Sequence, residues 1–125
     1  MKFLKSIAPL PKPVLAGGAF LVLATLLVYW PALHGGFIWD DDAYVVNNAL
    51  LTAPDGWWRI WFSTDHPSQY FPLAYSTLRI ERTLWGLNPF GYHLLNVLQH
   101  AANALLAWAV LRRLAVPGAG LAAAL

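Results

Sequence analysis

Two long uncharged runs bracket a middle stretch crowded with polar, acidic and aromatic residues. The first run, Val14 to Leu33, holds no charged side chain over twenty residues. A helix of that length rises ~30 Å, the thickness of a bilayer's hydrocarbon core. Tyr29 and Trp30 stand at its far end, where amphipathic rings favour the membrane interface. The second run starts at Asn88-Pro89, an N-cap followed by a proline at the first helical position. It meets no charge until Arg112, and a helix is expected to about Leu114. His93, Asn96, His100 and Asn103 interrupt it at spacings that place them within about 80° on one face. Gln99 borders that stripe. Polar groups are costly in hydrocarbon, so the stripe should face protein or a wet cavity. Tyr92 and Trp108 mark the two interfaces.

Between the runs the pattern is shorter in range. Ala53-Pro54-Asp55-Gly56 reads as a turn. Trp57, Trp58, Trp61 and Phe62 then surround Arg59. A short helix in the headgroup plane would turn those rings to lipid; alternatively the rings pack beneath the loop. Ser63 to Tyr70 is polar and irregular. From Pro72 to Trp85 the period is helical, with Leu73, Thr77, Ile80 and Leu84 near one face. Pro72 suits a first turn and Gly86 an end. The expected organisation is a basic head over 1–13, a transmembrane helix over 14–33, a loop over 34–88, a second transmembrane helix over 89–114, and a turn opening a third apolar segment over 115–125. A segment that begins at Ala119 and halts at Leu125 reads as the front of a larger multi-span protein. The expected fold class is an all-α membrane protein.

Composition agrees with the membrane reading. Of 125 residues, 58% are hydrophobic and only 11% charged, against about 25% charged in soluble domains. All six acids lie between residues 34 and 88, with Arg59, Arg79 and Arg82. The other five bases, Lys2, Lys5, Lys12, Arg112 and Arg113, flank the two spans. The positive-inside rule then places both ends in the cytoplasm and the loop outside. A cleaved signal peptide is the rival reading of the first run, but the run exceeds the usual apolar core of ~7–15 residues and no clear Ala-x-Ala site follows. No basic patch interleaved with aromatics argues for nucleic acid. The absence of cysteine excludes disulfides and thiolate metal sites.

The chemistry concentrates in Phe37-Ile38-Trp39-Asp40-Asp41-Asp42. Adjacent carboxylates raise one another's pKa unless a cation or donor compensates, so the cluster reads as the acidic corner of an active site outside the membrane. A solvated acidic turn is the plainer alternative. Asp40-x-Asp42 also matches a metal-binding Asp-x-Asp pattern, and two hard oxygen ligands suit Mg²⁺ or Mn²⁺.

Four stretches carry a family resemblance. They are Phe37-Ile38-Trp39-Asp40-Asp41 with Asn48 beyond it, Tyr70-Phe71-Pro72-Leu73 followed by Thr77-Leu78-Arg79, Leu84-Trp85-Gly86-Leu87-Asn88-Pro89, and Tyr92-His93-Leu94-Leu95-Asn96 with His100. In order and spacing the chain resembles the N-terminal part of the TMTC family, transmembrane and tetratricopeptide-repeat proteins, and its bacterial relatives. Phe71 stands where many relatives carry arginine. The resemblance implies the N-terminal fragment of a GT-C-like polytopic fold, with two transmembrane helices joined by an external loop bearing interfacial helices. It implies transfer of a sugar, mannose or similar, from a polyprenyl-phosphate carrier to a Ser/Thr hydroxyl of an acceptor protein. It implies that the aligned pair Asp40-Asp41 supplies the general base, and Asp41 is favoured, since in an extended stretch only one neighbour faces the acceptor. Arg79 and Arg82 would meet the carrier phosphate, as guanidinium forks match its oxygens, or pair with Glu81 or lipid headgroups. His93 and Asn48 are further substrate contacts, and His100 a packing residue. The setting would be a bacterial inner membrane with the loop in the periplasm, or an endoplasmic reticulum with the loop in the lumen. Two other readings stay open. In a transporter or channel subunit the polar stripe lines a path and the acids attract cations; in a non-catalytic anchor two spans present the loop.

Overall fold

Proline and glycine set the helix boundaries in the computed structural model, which describes residues 11–64 and 66–119. The head up to residue 10 and the apolar run from residue 120 lie outside those described residues. Helix α1 spans Lys12–Val28, α2 Gly56–Phe62, α3 Pro72–Trp85 and α4 Pro89–Arg113. No strand occurs among the described residues. Pro11 and Pro13 open α1. Pro31 has no N–H to continue the ladder, so the chain tightens after Tyr29 into a 3₁₀ turn over Trp30–His34. The first α-helix therefore has 17 residues. Helix α4, with 25 residues, is long and apolar enough to cross a membrane.

The chain divides into two units. One pairs α1 with the part of α4 from Val97 onward. Its buried positions include Leu21, Val97, Ala101 and Ala104. The helices meet over glycine: a Cβ at Gly17 would stand 2.8 Å from two ring carbons of Trp108, and one at Gly18 would stand 3.5 Å from Leu105. Small residues of this kind let helix backbones approach. Gln99, His100 and Asn103 are exposed on the other side of α4, with the His100 ring edge-on to Tyr29 at 5.1 Å.

The other unit covers Pro31–Asn96. Leu50, Ile60 and Tyr75 form its core, with Tyr44 and Leu78 packed against it. Helix α3 has the bounds that Pro72 and Gly86 predict, and it meets the core through Tyr75 and Leu78. Leu73, Ile80 and Leu84 are exposed, whereas Tyr75 and Glu81 are buried. The expected apolar stripe thus points outward. The tyrosine side fits the core, and an apolar stripe left uncovered suits lipid or further protein. Helix α2 buries Gly56 and Ile60 and turns Trp57, Trp58, Trp61 and Phe62 outward, so these rings do not pack beneath the loop. Trp61 Nε1 donates to Ser76 Oγ at 3.1 Å and the Tyr70 hydroxyl donates to the Trp61 carbonyl at 2.7 Å, tying α2 to α3 and its approach.

Candidate active site

The acidic stretch is a turn, not the extended segment expected. The Asp41 N–H donates to the Ile38 carbonyl at 3.1 Å. In return the Ile38 N–H donates to Asp41 Oδ2 at 2.9 Å. A short carboxylate side chain offers the backbone this local alternative to a strand. Trp39 is pushed to φ 51°, a left-handed conformation that costs a non-glycine residue ~1–2 kcal/mol. Its ring is 90% exposed. From Asp42 to Val46 the chain winds as one π-helical turn, closed by the Asn47 N–H on the Asp42 carbonyl at 2.8 Å. Such turns recur at functional sites. Tyr44, within it, stacks on Tyr75 of α3 at 6.0 Å, so the acidic turn is seated on the core.

Asp40 and Asp42 are exposed and Asp41 is partly so. None of the three makes an ion pair with Arg79 or Arg82 among the described residues. The cluster is therefore a set of carboxylates without a cationic partner among the described residues, of which Asp41 alone takes a backbone donor, on an anchored backbone. Asp41 carries a second task in bonding Ile38. Among the described residues no group of three or more His, Asp and Glu side chains could hold a metal, so Asp40 and Asp42 would offer an ion a two-residue set only.

The other candidate residues fall into two groups. Asn48 and Arg79 hold the loop together. The Asn48 amide donates to the Tyr44 carbonyl and its Oδ1 accepts from the Leu50 N–H, each at 3.0 Å, which joins the π turn to the next 3₁₀ turn. Arg79 donates from Nη1 to the Leu50 carbonyl at 2.5 Å and from Nη2 to the Ala53 carbonyl at 2.7 Å. Its guanidinium also lies 5.6 Å from the Trp57 ring centre.

Arg82 on α3 and His93 on α4 flank the turn at Gly86 that joins the two helices. The Tyr92 hydroxyl donates to the Gly86 carbonyl at 2.7 Å, and Arg82 and Glu81 both act on that hydroxyl electrostatically. Arg82 Nη1 and His93 Nε2 are buried without a hydrogen-bond partner among the described residues. Phe37 packs edge-on to Tyr92 at 5.3 Å, and a Cβ at Gly35 would lie 3.8 Å from His93 Nε2. The segment leading into the acids is thus laid against this corner. Buried polar atoms without partners normally mark a missing ligand, water or neighbour.

Glu81 belongs to the same corner, and the sequence presented it only as a partner for arginines. It is 4% exposed and makes no hydrogen bond or ion pair with a described residue. Burial pushes its carboxyl up to about 7. The signal was available: Tyr75, Leu78 and Glu81 recur every third residue on α3. The folded form holds this proton more tightly than the unfolded chain, so its stability is full below the ordinary carboxyl pKa. It falls as pH rises toward 7 and levels off above. Glu81→Gln keeps the shape and cannot ionise. We expect it to stabilise the full-length protein by about 1–3 kcal/mol near pH 8 and to change little near pH 4. Thermal unfolding at the two pH values checks this; equal effects at both would mean that Glu81 is not buried as a neutral acid.

Over 97 residues the chain is 36% identical to the protein O-mannosyl-transferase TMTC1 of Mus musculus, a match covering 68% of this chain and 10% of that protein. Over 87 residues it is 34% identical to the protein O-mannosyl-transferase TMTC2 of Homo sapiens, covering 62% of this chain and 10% of that one. Over 119 residues it is 28% identical to the protein O-mannosyl-transferase Tmtc1 of Drosophila melanogaster, covering 88% and 14%. The chain thus spans between 10% and 14% of the length of these relatives. No family model and no solved structure matches it.

Proposed function

Since this chain belongs to the TMTC family of protein O-mannosyl-transferases over its matched stretch, we propose that it forms the N-terminal part of a membrane glycosyltransferase. In this reading α1 and α4 are the first two spans of a GT-C-like fold. The loop 34–88 lies outside, in the periplasm or the lumen of an endoplasmic reticulum. The donor is a polyprenyl-phosphate-linked sugar, mannose or similar, and the acceptor a Ser/Thr hydroxyl of a protein. The observation that carries the proposal is the anchored acidic turn. Its three carboxylates are held without a cationic partner among the described residues, and the segment leading into them packs through Phe37 on Tyr92, next in the chain to His93, whose Nε2 is buried without a partner there.

The reaction needs help mainly at the nucleophile, because phosphate is a good leaving group. The acceptor oxygen attacks the sugar's anomeric carbon, and its proton passes to Asp41 or Asp40. The bond between that carbon and the carrier phosphate breaks, and its electron pair leaves with the phosphate. A base within hydrogen-bond reach is worth about 10²–10⁴ in rate. Arg82 and His93 would hold the phosphate at the α3–α4 corner, Arg82 through its partnerless Nη1 and His93 through Nε2 in the tautomer that carries its proton there. Arg79 and Asn48 act one step back, fixing the loop. Among the described residues Asp40 and Asp42 offer an ion two carboxylates only.

Full-length protein in membranes, given labelled polyprenyl-phosphate mannose, is expected to yield labelled protein whose label resists peptide N-glycosidase and is released by alkaline elimination. Label only on lipid, or none, would argue for one of the other readings. Cation flux through the same membranes would favour a channel.

A further inference from the structure

A groove of about 900 Å³ runs between α1 and the second half of α4. Gly18 and Val22 line one side, Leu105 and Trp108 the other. Among the described residues the charged groups on its walls are Arg112 and Arg113, the two residues that end α4. The volume falls within the roughly 300–1,000 Å³ of small-molecule sites, and the walls are otherwise aliphatic and aromatic. An apolar trough with both its cations at one end fits an amphiphile with a single anionic head. Arg112 is already placed for this: its guanidinium stacks 4.9 Å from the Trp108 ring centre, which holds the fork at the groove mouth and leaves its N–H edges for oxygen. Tryptophan and arginine together at a helix end belong to the headgroup level of a bilayer.

We propose that this groove binds an anionic phospholipid, with one acyl chain along Gly18, Val22 and Leu105 and the phosphate on Arg112 and Arg113. The inference rests on α4 spanning a membrane. It does not depend on the transferase chemistry, since the arginines stand at the opposite end of α4 from Pro89 and His93. Charge complementarity selects the occupant. A later apolar segment of the same protein would leave two guanidinium groups without counter-charge, whereas basic pockets between spans on the cytoplasmic side suit anionic heads.

Native mass spectrometry of the full-length protein, extracted from nanodiscs holding equal phosphatidylglycerol and phosphatidylcholine, tests the site. The wild type should retain phosphatidylglycerol with about a tenfold preference, since two cations near a lipid surface supply at least that factor. Arg112→Gln with Arg113→Gln should abolish the preference. Ala19→Phe, which fills the groove from an exposed position and keeps both arginines, should reduce lipid of either kind. Equal retention of the two lipids, or a preference indifferent to the double substitution, overturns the proposal. So does inserted protein that retains no lipid, which would mean that another segment covers the groove, and so does retention of polyprenyl phosphate instead. Protein released from membranes by alkaline carbonate would sink the spanning reading and this site with it. Loss of mannose transfer with lipid retention intact would leave the site standing.

Discussion

Asparagine at Asp41 or at Asp40 is expected to cut transfer by about 10²–10⁴, or roughly 3–5 kcal/mol of barrier, in full-length protein that still inserts. The amide keeps the size of the carboxylate and removes its basicity. At Asp41 it also keeps an oxygen that can accept from the Ile38 N–H, so the turn survives and the loss reports on the base. Asp41→Ala would lose both and is the less informative change. Asp42 stands after the turn, exposed, at the start of the π-helical segment. Asp42→Asn should lower transfer by less than about threefold, as expected for one screened charge. Initial transfer rates at saturating donor for the three variants decide the matter. Three equal, mild losses would leave the cluster a solvated turn. Parallel loss at Asp40 and Asp42, with sensitivity to chelator, would place an ion there instead of a base.

What could be read in advance was punctuation. Pro72 and Gly86 delimit α3, and Asn88 caps α4 by accepting from the Phe90 N–H at 3.1 Å. These signals are local, so residues a few positions apart determine them. The geometry of the acidic turn depends on one feedback bond, from the Ile38 N–H to the Asp41 carboxylate, which alternation of side chains cannot reveal. Periodicity groups Leu73, Ile80 and Leu84 on one face of α3, but all three are exposed and the core is met by Tyr75 and Leu78. Of the candidate site residues, Arg82 and His93 flank one corner because α3 and α4 are joined by a tight turn at Gly86. That placement follows from the sequence once both helices are recognised. Glu81 shares a face with Tyr75 and Leu78 at every third position, a signal that the neighbouring arginines Arg79 and Arg82 outweigh by offering it an apparent partner.

Arg79 is where charge alone points in a different direction from structure. A phosphate contact needs a guanidinium with N–H edges to spare. Here both terminal nitrogens are committed to the carbonyls of Leu50 and Ala53, 29 and 26 residues earlier in the chain. The backbone beneath them makes room: a Cβ at Gly56 would collide with the Leu50 carbonyl oxygen and with Arg79 Nη1. Arg79→Gln should therefore leave two partly buried carbonyls unsatisfied and destabilise the loop by about 3 kcal/mol, the sum of two charge-assisted bonds less what water restores. Gly56→Ala should be comparably harmful without touching any charge, because the same three groups must move apart. Arg79→Lys can reach one carbonyl but not both and should fall between. Thermal unfolding of the full-length variants gives the order. Donor KM supplies the contrast: a structural Arg79 lowers stability in all three variants, with KM unchanged in whatever fraction stays folded. A phosphate-binding Arg79 would raise donor KM in Arg79→Lys at unchanged stability and leave Gly56→Ala with wild-type KM. That second pattern would return Arg79 to the substrate and leave the loop to be held by Asn48 and the core alone.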